Sequence, residues 1–349
     1  MARSEPVALL SLDDPRWSSF VARSADATPF HHPSWAQLLA LTYRYRGFVV
    51  GVEDVDGSLV AGAPFIEVRS LSGRRSLVSL PFTDECHPLA NDDEARGVLF
   101  AALGVACERF RTSRADVRGV VDAYGWRTGA DAVIHELELE TDVEEVRRRF
   151  SRSQVIRNIA RAEREGIVVR RATEAEDLDA FYALHTRTRR RQGVPVQPRR
   201  FFTLLWSHLI ERGHAFILLA YATEPRPVAG ALFLRDRETT VYKFGASDMH
   251  SWPLRPNHLI FWTAIKEACA RGDRLLDFGR TDLSNAGLRA FKSTWGARER
   301  PLRYSVLRAR PGAATEGVSS RALSVAIRKG PEWLCRGAGE TLYRFAGSR

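Results

Sequence analysis

Two periodicities divide the chain. Short apolar and β-branched runs at Val7–Leu10, Gly47–Glu53 and Leu59–Arg69 read as strands, and apolar positions three and four apart mark helices over Asp14–Ser24, Ser34–Leu41 and Asp92–Phe110. The turn Val55-Asp56-Gly57-Ser58 joins two of the strands as a hairpin, because Asp-Gly accepts the positive φ that a tight turn needs. Further strands are expected at Leu77–Leu80, Val117–Asp122 and Val133–Glu140.

The second half opens on a basic helical region that Thr141 or Asp142 caps, that runs through Glu165 and that Gly166 closes. A strand over Ile167–Arg171 follows, then helices from Thr173 to Arg190 and from Pro198 to Arg212. Strands over Ala215–Tyr221, Val228–Leu234 and Thr239–Gly245 form a meander. A helix over Asn257–Ala270, a strand over Leu275–Phe278, a short helix over Asn285–Lys292 and a strand over Arg303–Leu307 complete the lobe. The fold class is α/β, with lobes at 1–140 and 141–310 and a helical tail at 311–349. Each lobe runs from helices into a meander, which hints at duplication without a residue-level repeat.

Composition narrows the class. At 44% hydrophobic and 27% charged residues, 349 residues can bury two cores. No apolar run reaches the roughly 18–20 residues of a spanning helix, and Met1 to Pro6 leads into no signal-peptide core, so a cytoplasmic protein is expected. Cys86, Cys107, Cys269 and Cys335 stand far apart, which argues against a metal site or a disulfide framework. Net charge is +10, with only four lysines among 52 basic residues. Guanidinium groups grip phosphate and carboxylate oxygens in a two-pronged fork, so a polyanionic partner such as tRNA or an anionic membrane fits this balance. The tail's apolar-plus-basic pattern, with Trp333, Arg321, Arg328, Lys329 and Arg336, allows peripheral membrane contact beside the plainer reading of a packed helix.

The chemistry-bearing residues concentrate late in the chain. Asp277-Phe278-Gly279-Arg280-Thr281-Asp282 puts polar residues and a glycine at a strand's C-terminal end, where α/β folds expose their sites. Downstream, Phe291 and Trp295 lie one turn apart and flank Lys292. An arbitrary lysine is a solvated charge. Here the neighbouring motifs weigh the other way, through the resemblance they carry.

Asp277-Phe278-Gly279-Arg280 followed by Gly287-Leu288 and Phe291-Lys292-x-x-Trp295-Gly296-Ala297 resembles the FemAB and BioF2-like acyltransferases of the GNAT-like superfamily. Arg157 to Gly166, Tyr242 to Asp248 and Pro256-Asn257-His258-Leu259 are similar to that family in the same order. Pro81-Phe82-Thr83-Asp84-x-Cys86-x-Pro88-Leu89 is similar to a loop of BioF2-like members. The resemblance implies two GNAT-like lobes of mixed, mostly antiparallel sheets flanked by helices.

It also implies an acyltransferase acting on an amine or hydroxyl of a cell-envelope precursor, peptidoglycan or polysaccharide. The donor would be an acyl-CoA-like thioester or an aminoacyl-tRNA as co-substrate, with no tightly bound cofactor. Lys292 would sit at the donor's reactive end. Asp84, with His87 second, is the candidate for orienting or deprotonating the nucleophile. Phe291, Trp295, Tyr242, Asp248, Asn257, Arg280, Arg190 and Arg157 are candidates for donor or substrate binding. No Walker loop, dinucleotide fingerprint or Gly-x-Ser-x-Gly elbow occurs, nor does the ordinary GNAT pyrophosphate loop. A non-catalytic polyanion-binding protein on a degenerate acyltransferase scaffold is the alternative.

Overall fold

The computed structural model describes residues 7–112, 114–223, 225–308 and 320–347, with side chains from 322 onward in the last stretch. The tail's start at 311–319 and the side chain of Arg321 lie outside the described residues. Two compact units emerge: Met1–Asp131 with Leu302–Glu316 and Thr341–Arg349, and Ala132–Pro301 with Gly317–Glu340.

In the first unit, β1 (Val7–Leu10) is followed by α1 (Pro15–Arg23), α2 (Pro33–Tyr43), β2 (Arg46–Glu53), β3 (Leu59–Arg69), β4 (Arg75–Val78) and β5 (Leu89–Ala90). Helix α3 (Asp93–Arg109) leads to β6 (Arg114–Val117) and the start of β7 (Trp126–Glu138). Strands β1 to β4 form an antiparallel meander, β4 pairs in parallel with β6, and β6 pairs antiparallel with the end of β14 (Arg298–Arg308). Helix α3 turns Leu99, Leu103 and Cys107 onto Phe48, Phe65 and Val117.

The second unit repeats that plan. Helices α4 (Val143–Arg148) and α5 (Arg157–Arg164) precede β8 (Val168–Arg171), then α6 (Ala175–Gln192), α7 (Arg199–Leu205), β9 (Ala215–Tyr221), β10 (Pro227–Asp236) and β11 (Thr239–Ser247). Helix α8 (Pro256–Arg271) leads to β12 (Leu275–Asp277), β13 (Thr281–Asp282) and α9 (Ala286–Ser293). Strands β8 to β11 are an antiparallel meander, β11 pairs in parallel with β12, and β12 pairs antiparallel with the second half of β7. Strand for strand, the two units share one topology: a helix pair after the first strand, a meander, a helix, a parallel strand and a closing antiparallel strand.

The closing strands explain why one cut cannot divide the chain. The segmentation read from the sequence breaks at 140/141 and 310/311. Strand β7 instead begins in the first unit and ends in the second, and β14 does the reverse. The tail divides too, with α10 (Ser320–Lys329) and most of α11 (Glu332–Leu342) in the second unit.

Other local expectations shift for physical reasons. Strand β6 lies earlier than Val117–Asp122, and β7 starts seven residues before Val133. The basic helical region from Thr141 is interrupted after α4, because Phe150 turns into the core and the Ser151 N–H donates to the Thr294 carbonyl at 2.8 Å. Asp142 caps α4 through the Glu144 N–H and Ser151 caps the next turn, so each piece has its own start signal.

The core of the second unit rests on α8. Pro256 occupies its first turn, where a missing N–H costs nothing, and Gly272 ends it at φ 86°. Its inner face buries Leu259, Ile260, Phe261, Trp262, Ile265 and Cys269. Each large apolar side chain so buried contributes about 1.5–3 kcal/mol before entropy is counted.

Candidate active site

The site is built where β11 and β12 part. Their parallel pairing spans only Thr239↔Leu275, Thr240↔Leu276 and Val241↔Asp277. Beyond Val241, β11 continues to Ser247 with no strand on that side among the described residues. The two parallel strands therefore part at their C-terminal ends, the usual place for a ligand in such sheets, while α6 takes up the far end of β11: Thr188 Oγ1 accepts the Ser247 N–H at 3.0 Å and Arg191 donates to the Ser247 carbonyl at 3.2 Å.

One wall of the gap is a turn that the sequence specifies closely. Asp277, buried at the end of β12, accepts the Gly279 N–H on Oδ1 at 2.7 Å. Gly279 takes φ 74°, which favours glycine, while Phe278 between them packs on Phe261 and Trp295. The turn is held from behind by Lys292, whose Nζ donates to the Gly279 carbonyl at 2.6 Å and reaches the Arg280 carbonyl at 3.5 Å. Lys292 is only 3% exposed, which removes the reading of a solvated surface charge. A buried ammonium is tolerated because carbonyl oxygens replace part of its water shell.

The flanking motif keeps that lysine in place. Asn285 caps α9 by accepting the Leu288 N–H at 3.1 Å. Trp295 is fully buried and meets Phe150 edge-on at 5.2 Å. Gly296, at φ 74°, lies against Arg149 so closely that an added Cβ would stand 2.8 Å from the Arg149 Cβ and 3.0 Å from its carbonyl oxygen. Aromatic anchor, lysine and glycine thus serve one local geometry.

Two histidines enter this region that the sequence did not single out. His258, at the start of α8, stacks on Trp295 at 5.9 Å, meets Phe291 edge-on at 5.6 Å and sets Nε2 3.3 Å from Asn158 Nδ2. Burial, helped by Arg255, pushes its pKa down to about 4, so it is neutral near pH 7. His135 on β7 is fully buried, and its backbone carbonyl accepts the Phe278 N–H at 2.9 Å. Its Nε2 lies 3.3 Å from Glu299 Oε2, and among the described residues no partner meets strict hydrogen-bond geometry at either ring nitrogen. Burial, with Lys292 second, lowers its pKa. Glu299 itself is clamped by Arg289 through two contacts of 2.8 Å. The sequence signal for His258 was its place in Pro256-Asn257-His258; His135 carried none.

The remaining candidates divide. Tyr242 is half-buried at the opening of the gap and packs on Phe261 at 4.9 Å, and its hydroxyl overlies Gly245, where an added Cβ would stand 1.9 Å away. Burial pushes its phenol up to about 12. Asp248 accepts the His250 N–H and starts the short helix Met249–Leu254, and Asn257 is half-buried in the first turn of α8. The Arg280 side chain is exposed and pairs with Asp282 at 2.7 Å.

Arg190 donates from Nε to the Gly330 carbonyl at 2.7 Å, which ties the C-terminal helices to α6. Its neighbours Arg189 and Arg191 also donate to carbonyls, of Pro195 and Ser247. Arg157 is exposed on α5, opposite the buried Ile159 and Ala162.

Asp84 and His87 lie in the first unit, on a loop held from many sides. Leu80 and Phe82 both take positive φ, 62° and 60°, a strained backbone for such side chains. The Tyr304 hydroxyl donates to the Asp84 carbonyl at 2.6 Å, and Trp35 Nε1 donates to Thr83 Oγ1 at 2.8 Å. His31 accepts the Thr28 N–H on Nδ1 at 2.9 Å, which leaves Nε2–H to donate to the His87 carbonyl at 2.8 Å. Cys86 is fully buried, and burial pushes its thiol far above the usual range. Among the described residues, no group of three or more His, Cys, Asp or Glu is placed to hold a metal ion.

Comparison with known proteins bears on the fold and on the domain that carries this site. Residues 149–293 match the family model of an acetyltransferase (GNAT) domain. No curated protein matches the chain. Among solved structures, FemX aligns at 16% identity and a TM-score of 0.67 over 85% of this chain and 96% of its own. L-PGS from Bacillus licheniformis aligns at 14% identity and 0.55, over 94% and 96%. A tandem GNAT protein from the clavulanic acid biosynthesis pathway aligns at 12% identity and 0.52, over 88% and 100%. At such identities these likenesses show the fold: two GNAT-like units in tandem, each a mostly antiparallel sheet with flanking helices. The domain match gives residues 149–293 a GNAT-type acyltransferase domain, consistent with the FemAB-like resemblance of the motifs.

Proposed function

From a GNAT-type acyltransferase domain at residues 149–293, we propose a specific reaction: direct transfer of an acyl or aminoacyl group from a thioester or ester donor to an amine or hydroxyl of a cell-envelope precursor. The observation that carries it is the edge of β11 just past Val241, where no strand replaces β12 among the described residues, beside the turn that Lys292 holds. An extended donor arm with amide groups can add to that edge as an extra strand would, and the pantetheine arm of an acyl-CoA has this chemistry. The FemAB-like motifs and the likeness to FemX support an envelope acceptor, and the arginine-rich composition keeps aminoacyl-tRNA as the second donor class.

In the proposed step the acceptor nitrogen or oxygen attacks the donor carbonyl carbon. The carbonyl π pair moves to oxygen, giving a tetrahedral oxyanion. The nucleophile gives up its proton, and collapse expels the thiol or hydroxyl leaving group, which takes a proton. Fixed N–H donors and a buried cation stabilise that oxyanion more than water does, since they need no reorientation. Lys292 serves by fixing the Gly279–Arg280 turn and by its field. The proposed roles of Asp84, with His87 second, in orienting or deprotonating the nucleophile have their own test below.

The reaction is tested by offering labelled acyl-CoA and charged tRNA in parallel, with peptidoglycan precursors and activated sugars as acceptors, and weighing the products. A product heavier by one acyl group, formed by the wild type and lost with Lys292→Met, is expected. No transfer from either donor to any acceptor of this class would overturn the reading.

A further inference from the structure

The C-terminal helices have a docked inner face and a bare outer one. Helix α10 packs on α6 through Ile327, which is fully buried. Gly193 lies so near it that an added Cβ would stand 2.3 Å from Ser324 Oγ. Helix α11 is seated by Cys335, also fully buried, and by Gly339, where an added Cβ would stand 1.8 Å from the Val196 carbonyl oxygen. With Arg190 on the Gly330 carbonyl, the two helices form a fixed corner.

On the other side, Ala322, Val325, Ala326 and Lys329 follow i, i+3, i+4, i+7 spacing and are all exposed. Just past the Gly330-Pro331 break stands Trp333, 70% exposed and the most exposed of the chain's eight tryptophans. Arg328 is exposed as well, though its guanidinium reaches back toward α6, Nη2 standing 3.3 Å from where a Cβ on Gly193 would lie, and Glu332 lies 3.7 Å from Arg336. Tryptophan left in water, with Arg328 and Lys329 before it in sequence and Arg336 after it, suits a lipid interface, where the ring sits among headgroups and cations meet lipid phosphates.

We infer that this corner, with Val325 and Trp333 as apolar contacts and Arg328 and Lys329 as cations, docks the protein on an anionic lipid surface. No helix among the described residues is long and apolar enough to cross a membrane, so the contact lies on the surface. One aromatic anchor and two cations give reversible, salt-sensitive attachment. The inference does not depend on the acyl-transfer reading.

The test is co-sedimentation of the full chain with phosphatidylcholine vesicles, with and without phosphatidylglycerol, over a salt series. Binding to the anionic vesicles that falls as salt rises is expected. Trp333→Ser should weaken it about tenfold. Since each surface cation is worth about fivefold in partition, Arg328→Glu with Lys329→Glu should weaken it at least twentyfold. All three positions are exposed, and thermal unfolding should be unchanged. Absence of binding to anionic vesicles overturns the inference, as does binding that none of these substitutions alters. It is equally overturned if the same substitutions abolish tRNA binding or self-association while leaving vesicle binding intact.

Discussion

Lys292 Nζ and the Gly279 carbonyl oxygen stand 2.6 Å apart, joining the lysine of α9 to the turn that ends β12. The strand-end motif at Asp277–Asp282 and the motif that begins in the last turn of α9 are thus halves of one structure. The lysine cannot move without releasing the turn beside the edge of β11 just past Val241.

Gly296 should be close to irreplaceable. An alanine there meets Arg149 at 2.8 Å and must hold φ 74°. Gly296→Ala should cost about 2 kcal/mol or more of stability, read from the urea midpoint at constant slope. A midpoint within experimental error of wild type would show that the Arg149 segment yields freely.

Gly245 leaves room for the Tyr242 hydroxyl. Gly245→Ala should disturb the ring at the mouth of the gap and raise KM for the donor, while Tyr242→Phe removes the atom that an added Cβ would meet at 1.9 Å. The double variant should therefore recover part of the loss, giving a coupling of about 0.5–3 kcal/mol in a double-mutant cycle on stability. Simple additivity would mean that the two residues do not share this space.

Stability should fall on the acid side. His258 and His185 are pushed down to about 4 and about 3, chiefly by burial; His185 also bonds Gln197 at 2.9 Å. Unfolded histidine titrates near 6.5, so below that pH the unfolded chain binds more protons than the folded one. The contribution of His258, about 3 kcal/mol, is complete above pH 6.5 and is lost as pH falls toward 4. Thermal melts between pH 7 and pH 4 should show this slope, and His258→Gln should flatten it; an unchanged slope rules out His258 as a contributor.

Asp84 offers a kinetic test. If its carboxylate orients or deprotonates the nucleophile, Asp84→Asn should lower kcat about 10²–10⁴-fold and remove the acidic limb of the pH–rate profile. Because the Tyr304 hydroxyl holds the Asp84 carbonyl and not its side chain, the loop should keep its shape. A profile identical to wild type excludes the role.

The legible parts of the molecule were those set by local chemistry. Asp142 caps α4 as the capping rule predicts, and β3 and β9 fall on the expected residues. Lys292 drew notice through its aromatic neighbours in sequence, and it is buried, with the Gly279 and Arg280 carbonyls as hydrogen-bond partners. Long-range partners stayed hidden. Arg190, read as a candidate for donor or substrate binding, has its Nε on the carbonyl of Gly330, 140 residues away, a partner that no local pattern announces. The clasp of His258 by Phe291, Trp295 and Asn158 unites three helices, and the exchange of β7 and β14 between units concealed the duplicated topology.

The most direct test of the account is single-turnover transfer by Lys292→Met beside its thermal unfolding. Losing the ammonium leaves the Gly279 and Arg280 carbonyls without that donor, at about 1–3 kcal/mol of stability, and the folded protein should transfer about 10²-fold more slowly. A folded Lys292→Met protein that transfers at the wild-type rate would contradict the account.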